Sequence, residues 1–152
     1  MKMNFNVTLV VVSIVCIFSC NKAIEKVDDA TAKNPNRETV VKLFEAFNKH
    51  DWDGYAGYYA ADADFLDPSF GNDYVRQTHQ QIVDKYLAFE KISPDIKDEV
   101  VGIYDIGEKV IVEFVAGGTA PDGTKWRLPI CSVLTIKDGK IIRDATYFDE
   151  EK

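Results

Sequence analysis

Carboxylates and aromatic rings are the groups in this sequence best placed to do chemistry, and Asp67 has the most unusual setting among them. In the stretch DADFLDPSFG, residues 62–71, the apolar pair Phe65-Leu66 runs straight into Asp67 and Pro68. Two roles are open to such a residue. It can cap the end of a strand by bonding to its own local backbone, or it can present its carboxylate to a cavity as a proton-transfer group. His79 lies between Val75 and Ile82 on an apolar stripe, where it is either a pocket acid or base or a core histidine with a satisfied hydrogen bond. Trp52, Tyr55, Tyr59, Trp126 and Phe148 can line an apolar ligand cavity or fill a core.

Other chemistries lack the residues they need. His50 and His79 are the only histidines, with no His-x-x-x-His or paired-cysteine spacing, so neither a metal site nor a cofactor is expected. Ser69 and Ser132 sit in no Gly-x-Ser-x-Gly elbow. The glycines of AGGTAPDG lie between predicted strands and not before a helix, so they are turn residues and no phosphate loop.

The chain has 152 residues, with 25 acidic against 18 basic side chains and a formal charge of −7. An acidic surface repels nucleic acid, which is not an expected partner. Lys2 precedes the apolar run VTLVVVSIVCIF, too short for the roughly 20 residues of a spanning helix and suited to a signal-peptide core. The following Ile17-Phe18-Ser19-Cys20 resembles a bacterial lipobox, which implies lipidation of Cys20. Loss of residues 1–19 would remove Lys2 and no acid, taking the charge from −7 to −8. Cys16 leaves with the signal and Cys20 is acylated, so Cys131 remains the only free thiol and no intrachain disulfide is expected. The expected organisation is a signal peptide over 1–19, a lipidated cysteine and polar tether over 20–36, and one domain over 37–152. The expected address is the cell envelope, with the chain held to a bacterial membrane, periplasmic or surface-exposed, through the lipid alone.

Within the domain, Val40, Leu43, Phe44 and Phe47 repeat at helical spacing. Trp52, Tyr55, Tyr58 and Tyr59 predict a second, short helix behind an Asp51 N-cap, weakened by Gly54 and Gly57. A brief strand over 63–66 ends at Asp67-Pro68, because proline holds its predecessor extended and cannot donate to a ladder. Val75, His79, Ile82, Tyr86 and Phe89 predict a third helix over 74–90. Four strands follow over 100–106, 109–116, 125–136 and 140–149, separated by the turn sequences DIGEK, APDGT and KDGK. In the third of these, Trp126, Leu128, Ile130, Ser132, Leu134 and Ile136 share one side. Helices first and a long antiparallel meander after them predict an α+β roll of cystatin-like type, in which three N-terminal helices pack in the cone of a curved, mainly antiparallel sheet.

Order and wording resemble the nuclear transport factor 2-like superfamily, in particular its SnoaL-like and ketosteroid-isomerase-like branches. The resemblance is carried by VVKLFEAFNKHDWDGYAGYYAADADFLDP, DYVRQTHQQIVDKYLAF, ISPDIK and IKDGKIIRDATYFD, and it spans nearly all of residues 37–149. It implies that Asp67, in LDPSFG, stands where the ketosteroid isomerases hold a general-base aspartate. The oxyanion donors of those enzymes have no match, since Leu43 or Phe44 stands for the tyrosine and Ser132 or Cys131 for the neutral aspartate. The SnoaL-like cyclases imply a late carboxylate, for which Asp144 and Asp149 compete. Ile142, Asp144, Thr146 and Phe148 share one side of the last strand, and Arg143, Ala145, Tyr147 and Asp149 the other, so only one set faces a pocket unless a bulge intervenes.

Three functions fit. The first is a binding module for a small apolar or amphipathic molecule, with Tyr55, Tyr59, Trp126, Ser132, Phe148 and Asp149 around the ligand. The second is a cofactor-free isomerase, cyclase or dehydratase with Asp67 as base, assisted by Asp144 or His79. The third is an interaction domain whose sheet forms a homodimer or docks on another envelope protein.

Overall fold

The computed structural model describes residues 34–149; the expectations for the signal peptide, Cys20 and the tether before residue 34 lie outside them. Helix α1, Pro35–Asn48, starts two residues before the Arg37 boundary drawn from the sequence, because Asn34 caps it. The Asn34 side chain accepts from the Asn36 amide at 3.1 Å, and Pro35 takes the first turn, where its missing N–H costs nothing. Its buried face carries Val40, Leu43, Phe44 and Phe47, the predicted stripe. Helix α2, Trp52–Ala56, begins at the predicted cap, where Asp51 Oδ1 accepts from the Gly54 amide at 3.0 Å. Gly57 ends it. Tyr59 therefore belongs to the first strand and not to the helix.

Strand β1, Tyr59–Leu66, is longer than predicted, and the 3-10 turn Pro68–Phe70 follows it. The stretch over 74–90 is not one helix. Its first residues form strand β2, Val75–Gln77, antiparallel to β1, and α3 runs over His79–Ile92. The break is set by Thr78 and Gln81, which make a capping box that competes with continuing the helix backward through Val75. Strands β3 (Lys97–Ile106), β4 (Lys109–Thr119), β5 (Lys125–Lys137) and β6 (Lys140–Tyr147) form the expected meander. The β5–β6 turn has Asp138 and Gly139 both at positive φ (51° and 73°), as a tight hairpin of right-handed twist demands.

The six-stranded sheet has the order β2-β1-β6-β5-β4-β3. Every pairing is antiparallel except β1 with β6. Three register shifts interrupt its ladders, one of them between Tyr59 and Asp64 where β1 pairs with β6. Val101 is an extra residue between Val100, opposite Phe114, and Gly102, opposite Glu113. Ile142 is an extra residue between Ile141, opposite Ile136, and Arg143, opposite Thr135. The sheet curls over the helices, with α1 against β3 and β4 and α2 against α3. This is the predicted α+β roll. An aromatic cluster joins the layers: Phe44 meets Phe114 edge-on at 4.9 Å, and Phe47 packs against Trp52, Tyr55 and Tyr86 at 5.3–5.7 Å.

Candidate functional site

Between the concave face of the sheet and the helices lies a cavity of about 190 Å³. Its apolar wall is the inward parity of β5 (Trp126, Leu128, Ile130, Leu134), facing Phe47 of α1 and Phe89 of α3. That parity was legible in the sequence, since alternate residues of a strand share a face. A volume of this size exceeds the roughly 150 Å³ dry cavity known to hold benzene. It suits a ligand of about one ring.

On one side the cavity meets a continuous hydrogen-bond chain. Tyr59 Oη donates to Asp144 Oδ2 at 2.8 Å, and Thr146 Oγ1 donates to Asp144 Oδ1 at 2.9 Å. Each hydroxyl has one proton, so with Asp144 ionised the directions of the outer bonds are fixed. Tyr55 must donate to Tyr59 (3.0 Å), Tyr86 to Tyr55 (3.2 Å), and Ser132 to Thr146 (2.7 Å). All of these donors converge on one carboxylate. Burial pushes the Asp144 carboxyl above its ordinary value, and the Tyr59 and Thr146 hydrogen bonds oppose that only in part. Burial likewise lifts the Tyr55, Tyr59 and Tyr86 hydroxyls well above theirs, which keeps them protonated as donors.

Asp67 caps its own turn and also lines the cavity. Its Oδ1 accepts from the Ser69 amide (2.8 Å) and hydroxyl (2.6 Å), which caps the 3-10 turn, while the same side chain lines the cavity. Its Oδ2 is paired with Lys85 Nζ at 2.7 Å. Burial acts to raise the Asp67 carboxyl, but the Lys85 and Ser69 bonds together outweigh it and hold the group below its ordinary value. A carboxylate so satisfied is a weak base. Lys85 also lies over the Phe70 ring at 4.5 Å.

Of the sequence candidates, Asp67, Asp144, Tyr55, Tyr59, Trp126, Ser132 and Phe148 all line this cavity. His79 does not. It is the first residue of α3, and its Nε2 bonds to the Tyr59 carbonyl at 2.9 Å, so it ties helix to strand outside the lining. The apolar stripe that suggested a pocket role came from reading Val75 as helical. Asp149 is corrected too: it is exposed on the opposite parity of the last segment, beside Pro129, Cys131 and Tyr147. The Ile142 bulge lies upstream of Asp144 and leaves the alternation through Asp144, Thr146 and Phe148 intact. His50 is structural, with ring bonds to Glu90 (3.1 Å) and the Ile96 carbonyl (2.9 Å). Among the described residues no group of three His, Cys, Asp or Glu side chains is placed to hold a metal ion.

Sequence reading missed Lys85, Tyr86, Thr146 and Asp98. Lys85 sits three residues after Ile82 on the buried side of α3, so a lysine inside an apolar stripe was the available signal. Asp98 shares strand parity with Ile96, and both face the cavity.

A family model described as the SnoaL-like domain matches residues 40–144. No curated protein matches the chain. Among solved structures, wild-type IdmH, a proposed polyketide cyclase from Streptomyces antibioticus, superposes with a TM-score of 0.67 at 22% identity, covering 76% of this chain and 93% of that one. A hypothetical protein of ketosteroid isomerase-like fold from Catenulispora acidiphila, crystallised in complex with trimethylamine, gives 0.66 at 19% identity over 74% and 85% of the two chains. TerC, co-crystallised with polyporic acid, gives 0.66 at 20% identity over 76% and 92%. At these identities the likeness shows the fold.

Proposed function

The chain belongs to the SnoaL-like domain family, and from that membership we propose that it binds a small apolar or amphipathic molecule in the cone of its sheet. The observation that carries this reading is the aromatic-walled cavity whose polar side is the Asp144 hydrogen-bond chain. An apolar body excludes water against Trp126, Leu128 and Phe89, and one polar group of the ligand meets the hydroxyls around Asp144. Neighbours of this fold crystallised with trimethylamine and with polyporic acid support small-molecule binding as a use of the fold. Competitive displacement of an environment-sensitive apolar dye by one-ring alcohols and phenols tests it. Saturable displacement, lost when the cavity is filled by mutation, is the expected result.

A second reading is a cofactor-free enzyme of isomerase, cyclase or dehydratase type, and the raised Asp144 favours it. A buried carboxylate whose basicity is raised above the ordinary value is better suited to take a proton from a carbon next to a carbonyl. Asp144 suits that task better than Asp67, whose pairing with Lys85 lowers its basicity. Deuterium wash-in to a cyclic β-diketone, measured with and without Asp144→Asn, tests this reading.

The address belongs to the same proposal. The order Lys2, apolar run, Ser19, Cys20 supports a lipid anchor in a bacterial envelope. Metabolic labelling with an alkyne fatty acid, abolished in Cys20→Ala, tests it. A homodimer through the outer sheet face is supported by exposed Val101 and Tyr147, which border one surface groove. Sedimentation equilibrium of the soluble domain distinguishes dimer from monomer.

A further inference from the structure

Asp98 is buried, at 9% exposure, and lines the cavity away from Asp144 in sequence and on a different strand. Its backbone is fixed. Asn48, the last residue of α1, accepts from the Asp98 amide at 2.8 Å and donates to the Asp98 carbonyl at 2.9 Å, while β4 pairs Ala116 opposite it. Asn48 thus directs both polar atoms of its side chain to the main chain and none to the carboxylate. Asp98 Oδ1 is left with no hydrogen-bond partner among the described residues, although buried. Buried polar atoms without partners are rare in folded proteins and need a reason. A ligand that supplies the missing donor is one.

Several observations narrow the donor to a cation. Lys97 and Glu99 flank Asp98 in the strand and, with Lys125 and Arg127 of β5, border a surface groove that Asp98 also lines, yet none bonds to its Oδ1. Arg127 is paired with Glu99 at 3.2 Å. Tyr86 of α3, which borders the same cavity, spends its hydroxyl on Tyr55. Trp126, Phe114 and Phe47 line the same cavity as Asp98, and aromatic rings can attract positive charge to it. The chain as a whole is acidic, at −7, which favours approach of a cation. With no cation present, burial alone pushes the Asp98 carboxyl up to about 7, so the empty site holds a proton for much of the time near neutrality.

We infer that Asp98 is a recognition site for a protonated amine, so that the ligand of this cavity is a small aromatic or aliphatic molecule with a basic nitrogen. This rests on the cavity-binding reading and names the class of ligand for it. The ammonium meets the Asp98 carboxylate from the cavity side, its hydrocarbon part lies against the aromatic wall, and binding replaces the carboxyl proton by the ligand's charge.

The test compares benzylamine, protonated at pH 8, with its neutral isostere benzyl alcohol, by NMR titration of the soluble domain. The amine is expected to bind about tenfold or more tighter, as a charge-assisted bond predicts. The preference should shrink at pH 5.5, as Asp98 takes up its proton, and vanish in Asp98→Asn. Amide shifts should centre on Ile96, Asp98 and the Trp126 indole. That mapping uses the wild-type protein and stands even if the variant does not fold. Equal binding of both probes overturns the amine inference and leaves the cavity reading intact. A preference that survives in Asp98→Asn, or shifts centred on Asp144 or Asp67, overturns it as well. Binding of neither probe removes the cavity reading and this inference with it.

Discussion

The Tyr59 hydroxyl, from the first residue of β1, donates to Asp144 of β6 at 2.8 Å, inside the curl of the sheet. The two strands run parallel, and this pair fixes the polar side of the cavity to the seam between them. Tyr59→Phe removes a donor that lowers the Asp144 pKa, and it also deprives Tyr55 of its acceptor. The Asp144 pKa should rise further, and stability at pH 7 should fall by about 1–3 kcal/mol. Carboxyl-carbon NMR titration and urea unfolding read the two effects.

Asp98 makes stability fall with rising pH. Its folded value, about 7, lies above the ordinary carboxylate value, so the folded state holds the proton more tightly than the unfolded chain. The stabilisation is complete below the unfolded pKa of about 4 and is lost as pH climbs through the folded one. Asp98→Asn removes this dependence. Compared with the wild type, the variant should gain stability on the order of a few kcal/mol between pH 4.5 and pH 8. Urea unfolding at the two pH values checks it; an unchanged difference would mean that Asp98 titrates as an ordinary surface acid.

Asp67, paired with Lys85, has the opposite sign. Asp67 is held below its ordinary value, so its contribution is present above about pH 4 and is lost as pH falls through the folded pKa. Lys85→Met leaves a partly buried carboxylate without its ion-pair partner, and Asp67 should titrate higher. Because both side chains keep some contact with solvent, the loss at pH 7 should be about 1 kcal/mol, and it should shrink as pH falls through the folded Asp67 pKa. Denaturation midpoints across that range decide.

Ala116 is buried on the cavity wall opposite Asp98 in the β3–β4 ladder. Ala116→Phe should place a ring in the empty volume and weaken probe binding more than tenfold, at an overpacking cost of about 1–3 kcal/mol. Dye displacement and thermal unfolding on the same samples separate blocked binding from loss of fold.

The fold was legible where local signals agree with the final packing. The stripe of α1, the parity of β5 and the Asp138-Gly139 turn each hold a periodicity or a turn preference that tertiary structure had no cause to override. Strand β2 was not legible, because Val75, Ile82, Tyr86 and Phe89 fit a helical period and only pairing with β1 makes Val75–Gln77 extended. That misreading carried His79 into the candidate site. Asp144 and Asp149 could be ranked by parity once one of them was placed, but the placement needed the parallel β1–β6 pairing, a contact between residues about eighty positions apart that no short window contains. Asp98 escaped notice because its significance is a missing partner, which only the packed structure displays.

The most direct measurement is a crystal structure of the soluble domain soaked with 4-bromobenzyl alcohol, with data collected at the bromine edge. A single ordered anomalous peak inside the cone, against Trp126 and Phe89 with the hydroxyl toward Asp144 or Asp98, is the predicted result. Bromine only on the outer surface, with the cone closed by its own side chains, would contradict ligand binding in this cavity.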